Sequence, residues 1–475
     1  MRTITGKLSF KEKVGFSLGD TASNLFFQTF MLFLLYFYTD VFGLPAAAVG
    51  TMFLVTRIWD AFFDPIVGTL ADRTQTRWGK FRPFLLWFAL PFGIIGVLTF
   101  TTPGFSSSGK LVYAYVTYSL MMMLYSAINV PYAALMGVIT PNSEQRTILS
   151  SYRFVAAFAG GLIVQAVTMS LVNYFGKGNE AAGWQWAMGC LSGLAFILFM
   201  ITFMTTEERV FPPKEQKTNF RRDLGDLVAN KPWLLIAGAT VFQLMYIVMR
   251  NSSIMYYFKY YVGDQHLNLF GNVINLSFEE FATSFMFTGT LATILGAILT
   301  RYFSRLLDKK NTYLWFLITS AVLNVPFYFM HPQNVILIYL LNLAVSFFFG
   351  PVSVLQWAMY TDAADYSEWK RGRRATGLVM AASLFSLKLG LTLGGAVVGW
   401  ILAYHGFIAN RPQTPESVNG IILLLSVYPA ILAVLGGMLM MFYPLTNKVM
   451  VKIEEDLTSR RGTADSVSPG VQEVV

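Results

Sequence analysis

Asp60 and Asp64 stand four residues apart in the apolar stretch RIWDAFFDP, a spacing that puts two carboxylates on one face of a helix. Carboxylates this close repel, and one titrates high unless a cation or a basic group sits between them. The pair therefore suits reversible binding of Na⁺ or a proton; the alternative is a structural ion pair with Arg57, one turn before Asp60. Asp20, Asn24 and Gln28 form a second polar set, again at four-residue spacing in an apolar stretch. A third is Tyr125, Ser126, Asn129 and Tyr132 around Pro131. Hydroxyls and amides beside aromatic rings suit a sugar, whose hydroxyls need hydrogen bonds and whose C–H faces stack on rings. Hydrogen bonding between helices is the competing use of such residues.

Lys388 lies within SLFSLKLGLTLGG with no acid within a turn, so its partner must come from another helix, and Asp60 or Asp64 is the natural candidate. Arg250, in VMRNSSIMYYFKYY, either contacts substrate or balances Asp20, while Lys259 near the end of that stretch is expected to snorkel. Gln356, in a later apolar stretch, joins the candidate substrate-binding set.

The elements that position these residues follow from composition. Of 475 residues, 55% are hydrophobic and only 13% charged, about half the charge of a soluble globular chain. This excludes soluble enzymes and nucleic-acid binders and predicts an all-α membrane protein. The apolar runs are too long and unbroken for a β-barrel. A helix needs about 20 residues to cross the hydrocarbon core. Twelve such spans are predicted, near 15–40, 45–70, 82–102, 110–138, 149–173, 184–205, 232–261, 280–304, 312–330, 334–361, 375–404 and 418–444.

The longest polar interruption, 206–231, falls almost at mid-chain. The reading is a six-helix half over 1–205, a cytoplasmic linker over 206–231, a second six-helix half over 232–444, and a cytoplasmic tail over 445–475 with little fixed structure. Among loop residues, only Lys110, Lys177 and Arg411 depart from a Lys/Arg bias that places both termini in the cytoplasm. The first span reads as uncleaved. The single cysteine, Cys190, allows no intrachain disulfide, and the three histidines are too scattered to ligate a metal. The glycines at 390, 394, 395 and 399 read as close helix packing. No GxxxxGK[ST] phosphate loop is present to drive transport with ATP.

Three stretches carry a resemblance. They are YTDVFGLPAAAVGTMFLVTRIWDAFFDPIVGTLADRTQTRWGKFRPF, NVPYAALMGVITPNSEQRTILSSYRF and TDAADYSEWKRGRRATG, the last followed by Lys388. Together they resemble the glycoside–pentoside–hexuronide:cation symporters, the melibiose-carrier relatives of the major facilitator superfamily, with the pentoside and α-xyloside members most similar. The resemblance runs over nearly the whole chain and implies the major facilitator fold. It implies that Asp60, Asp64 and Ser126 form the cation site, that Lys388 couples that site to the second half, and that Arg153 lies close to the sugar. Asn24 and Asn129 would stand where galactoside carriers present aspartates, which puts melibiose itself in doubt as substrate. Phe63 would replace an amide beside the aspartates and leave a poorer Na⁺ shell.

The expected function is cation-coupled symport of a glycoside, a pentoside or small oligosaccharide, into the cytoplasm by alternating access. The binding set is Asp20, Asn24, Gln28, Tyr125, Asn129, Arg153, Arg250 and Gln356, with Lys388 and Arg57 as coupling residues. Asp72, Arg73, Asp362, Asp365, Glu368, Arg373 and Arg374 are expected to bridge a closed cytoplasmic gate. The coupling ion is H⁺ or Na⁺, the latter held by Asp60 and Asp64; no cofactor, nucleic acid or obligate protein partner is expected. The protein should lie in the cell inner membrane. Competing readings are a passive sugar facilitator and a symporter of hexuronides or other anionic sugars that uses Arg250.

Overall fold

Ser9, Phe10, Lys11 and Glu12 make the pattern of a capping box, and the Ser9 hydroxyl accepts the Glu12 amide at 3.1 Å in the computed structural model. The structure describes residues 8–140, 143–209, 225, 227–269, 272–371 and 376–466. From the cap, α1 runs Phe10–Thr29 and continues through two π-helical turns, Phe30–Leu34 and Phe37–Val41. Then follow α2 (Ala46–Arg73), α3 (Arg82–Thr99), α4 (Ser107–Ile139), α5 (Ser143–Gly176) and α6 (Glu180–Thr205).

The helix α7 (Lys231–Tyr257) also ends in a π turn, Phe258–Val262. An antiparallel hairpin, β1 (Gln265–Leu269) with β2 (Asn272–Leu276), leads into α8 (Phe278–Leu307). The remaining helices are α9 (Lys309–Asn324), α10 (Val335–Arg371), α11 (Thr376–Tyr404), α12 (Pro415–Leu425), α13 (Val427–Met441) and α14 (Asn447–Ser466). Prolines 65, 91, 131 and 351 sit inside these helices, as membrane helices tolerate.

Eleven helical segments among the described residues are long and apolar enough to cross a bilayer; α12 and α13 together make one of them. The first expected span is not in that set, because α1 carries Lys11, Glu12, Lys13 and Asp20 within its regular turns. The described residues thus show eleven apolar spans where twelve were expected, with α1 as a more polar helix.

The chain packs as two units. One comprises Met1–Glu215, Val248–Phe287 and Gly395–Leu424; the other comprises Gln216–Ile247, Thr288–Gly394 and Leu425–Val475. In the first, α1 packs on α5 and α6, α3 on α4 and α6, and α2 on α4. Backbones approach closely where side chains are absent: a Cβ on Gly50 would lie 2.6 Å from the Ala396 carbonyl, and one on Gly399 2.5 Å from that of Ala46. The expected packing role of Gly399 is therefore met against α2. In the second unit α9 packs on α10 and α13, and α10 on α14.

The start of α3 is held by a carboxylate. Glu208, three residues past α6, accepts the backbone N–H groups of Lys80, Phe81 and Arg82 at 2.7–3.0 Å. These are orphan donors of a helix N-terminus, where negative charge is favoured. Gly79 has φ +107°, and any Cβ there would collide with the Glu208 carboxylate. The neighbouring Arg209 is bidentate to Glu12 at 2.6 and 3.1 Å, and those hydrogen bonds raise its affinity for its proton. Glu208→Ala should lower stability by about 2 kcal/mol, more than one ordinary hydrogen bond, because three amides lose one acceptor. A thermal melt no lower than wild type would show that water replaces the carboxylate without loss.

The tail corrects an expectation. Residues 447–466 form a helix, where little fixed structure beyond a first helical turn or two was expected. Asp308 accepts the Asn447 amide at its start, and Trp369 Nε1 donates to Asp456 at 2.8 Å. Met450, Ile453 and Leu457, spaced for one helix face, are buried.

Candidate functional site

The polar residues of α1 meet α4 and α5. The Asp20 carboxylate accepts Arg153 Nε at 2.7 Å and Nη2 at 3.0 Å, the forked geometry that arginine makes with a carboxylate. Tyr132 donates to the same carboxylate at 2.6 Å. The guanidinium also lies over the rings of Tyr132 and Phe16, 5.0 and 5.6 Å from their centroids. Asp20 is thus balanced by Arg153 on α5. The expected alternative, Arg250 of α7, is buried over the Phe285 ring and engaged there.

Close contact between α1 and α5 depends on Gly160, where a Cβ would lie 2.8 Å from the Thr21 carbonyl. Asn24 donates to the Asp20 carbonyl, and Asn129 to the Tyr125 carbonyl, each at 2.9 Å. The Asn129 amide oxygen accepts Ser23 at 2.8 Å and ties α4 to α1. Both amides therefore spend a donor on their own helix, and Asn129 also serves helix packing. Gln28 is half-buried one turn further along, beside Gly161.

On α2, Asp60 is only 1% exposed and accepts the Ser126 hydroxyl of α4 at 2.7 Å. Asp64 is half-buried one turn on. Arg57 lies in electrostatic reach of Tyr118 and Asp60. Tyr125 of α4 lies within electrostatic reach of Arg57, Asp20, Asp60 and Asp64. Chemically, this is a pair of acids, one enclosed and one half-buried, with a hydroxyl donor and a neighbouring arginine, near a third acid already neutralised.

Other expected residues lie apart from this cluster or in the second unit. Gln356 is buried on α10, and Lys388 is half-buried on α11. Asp362 is taken up by Lys309 of its own unit at 2.8 Å; Asp365 and Glu368 are half-buried on the same helix. Arg73 is exposed at the end of α2, which also contains Asp72. Arg373 and Arg374 fall outside the described residues.

One charged cluster escaped the sequence reading. Asp40, at the end of α1, has a fully buried side chain and accepts Lys259 of α7 at 2.9 Å. It also accepts the hydroxyls of Thr39 and Tyr260. Lys259 donates further to Asn410 at 2.7 Å and to Tyr36 at 3.2 Å. Lys259 is thus an interhelical partner rather than a snorkelling residue. The available signal was an acid at the last residue of the first expected span, opposite in sign to Lys259.

Comparison with known proteins adds the context. Residues 15–447 match a family model described as MFS/sugar transport protein. The chain is 39% identical over 452 residues to the inner membrane symporter YicJ of Escherichia coli, covering 95% of each. It belongs to the glycoside–pentoside–hexuronide:cation symporters. It is also 34% identical to the isoprimeverose transporter of Lactiplantibacillus pentosus, covering 97% of this chain and 93% of that one. A bacterial homologue of the human drug peptide transporters shares the fold at TM-score 0.66 and 11% identity, covering 93% of this chain and 99% of that one. As a symporter-family member the protein is a multi-pass membrane transporter of the sugar-transport class, not an enzyme.

Proposed function

We propose that the protein is a proton-coupled symporter of neutral pentosides, α-xylosides above all, and that it works by alternating access. The observation that carries this reading is the Asp60–Ser126 hydrogen bond at 1% exposure of the acid, with Asp64 a turn away and Arg57 beside it. A proton needs only one carboxylate to carry it, and the pair supplies two. Sodium would need several oxygens, and Phe63 supplies none. The pentoside class is supported by the likeness to the isoprimeverose transporter.

In this reading both termini are cytoplasmic, the protein lies in the inner membrane, and two six-helix halves over 1–205 and 232–444 move against each other. Protonation at Asp60 or Asp64 favours the sugar-binding state, and coupling is the difference in affinity between states. Asn24, Gln28, Tyr125 and Asn129 contact the sugar, with Arg57 and Lys388 as coupling residues.

The test is accumulation of labelled isoprimeverose in vesicles under an imposed pH gradient or an imposed Na⁺ gradient. Uptake should follow the pH gradient and ignore Na⁺. Phe63→Asn, which adds an amide oxygen beside the acids, should raise Na⁺ dependence severalfold without abolishing uptake. Wild-type accumulation driven by Na⁺ at equal pH would refute proton coupling and leave symport intact. Equilibration without accumulation under either gradient would refute symport.

A further inference from the structure

The polar face of α1 holds a buried-edge ion pair that the transport reading leaves without a task. Arg153 and Asp20 keep 24% and 15% of their side-chain surface, respectively, accessible, so the pair borders open space. Asn24 and Gln28 continue the same polar stripe.

An arginine at such a place would recognise a carboxylate through two parallel N–H donors. Here the carboxylate is the protein's own: Nε and Nη2 are both committed to Asp20 at 2.7 and 3.0 Å. The third face of the arrangement is also closed. Tyr132 donates to Asp20 Oδ2 and to the Phe16 carbonyl at 2.6 and 2.7 Å, and Nη1 lies 3.7 Å from Met136 sulfur.

We propose that Asp20 is a specificity-determining residue: it occupies the carboxylate-binding fork of Arg153 as an internal anion, so that the site accepts neutral glycosides and rejects uronides. This rests on the preceding reading only in placing the sugar along the α1 stripe. An external uronide must displace Asp20, stranding a charge at a partly buried site, which is more costly than leaving the pair intact. A neutral pyranoside meets a site already balanced and hydrogen-bonds to the amides beside it.

The test uses two probes that differ by one carboxylate on C5, methyl α-D-xyloside and methyl α-D-glucuronide. Binding is measured by calorimetry on the purified full-length protein in detergent at neutral pH. Wild type should prefer the xyloside by at least tenfold. Asp20→Asn should cut that preference at least tenfold by tighter glucuronide binding, and Asp20→Asn with Arg153→Gln should remove the gain. Asp20→Ser, which keeps a hydroxyl for Tyr132, is expected to behave as Asp20→Asn and serves if that variant does not fold. Equal binding of the two probes by wild type overturns the proposal. So does a folded Asp20 variant with the wild-type preference, or a double variant that keeps the glucuronide gain. Wild type that shows the preference but concentrates no sugar under either ion gradient refutes symport and upholds this assignment.

Discussion

Asp60→Asn is expected to abolish accumulation of sugar above its external concentration while the protein still inserts and folds. The substitution is nearly isosteric, and an amide oxygen can still accept the Ser126 hydroxyl, which lies 2.7 Å from the carboxylate. The structural cost is therefore about 1 kcal/mol, the worth of a weakened hydrogen bond. The functional loss is larger in kind. An amide neither takes up a proton at working pH nor neutralises a cation, so the free-energy link between ion and sugar disappears. Asp64→Asn should behave alike, since it removes the other carboxylate of the pair. Sugar counterflow, which needs no net ion movement, should persist in both variants. Uphill transport by either at the wild-type rate would remove that acid from the coupling site.

The largest stability effect is expected at Asp40. Its side chain is fully buried and holds Lys259, so Asp40→Ala leaves an ammonium enclosed without its acid. Breaking a buried pair from one side costs about 3–5 kcal/mol. Asn410 and Tyr36 still accept from Lys259, which places the effect at the lower end, about 3 kcal/mol. Asp40→Ala combined with Lys259→Met should recover most of the loss, because a neutral pair strands no charge. Thermal unfolding of the two single variants and the double variant in one detergent measures this. Strictly additive destabilisation would show that the two groups do not depend on each other.

The spans were legible because apolar run length is set by bilayer thickness, and α6 at Glu180–Thr205 exceeds its expected 184–205 by one N-terminal turn. The shared face of Asp60 and Asp64 was equally readable, since four-residue spacing acts within one helix. Partnerships between helices were not. Arg153 finds Asp20 across 133 residues, and no local pattern distinguishes that acid from any other intramembrane acid. Lys259 was misread for the same reason: snorkelling is the default for a lysine near a span end, and only the folded chain brings Asp40 to it. The tail helix was concealed differently. Its three buried apolar residues are diluted by charged neighbours, and the surface that covers them lies on α10.

The two π-helical turns after Thr29 change the phase of α1. Asp20 and Asp40 are twenty positions apart; a regular helix at about 100° per residue would place them on nearly opposite sides. Each π turn accommodates about one extra residue, leaving the angular equivalent of about eighteen, or about five whole turns of 3.6. Asp40 therefore returns to the azimuth of Asp20 and the amide stripe. The same insertions let one helix present an acid to α4 and α5 near its start and another to α7 near its end. Without them, the second acid would face away from the direction the first defines.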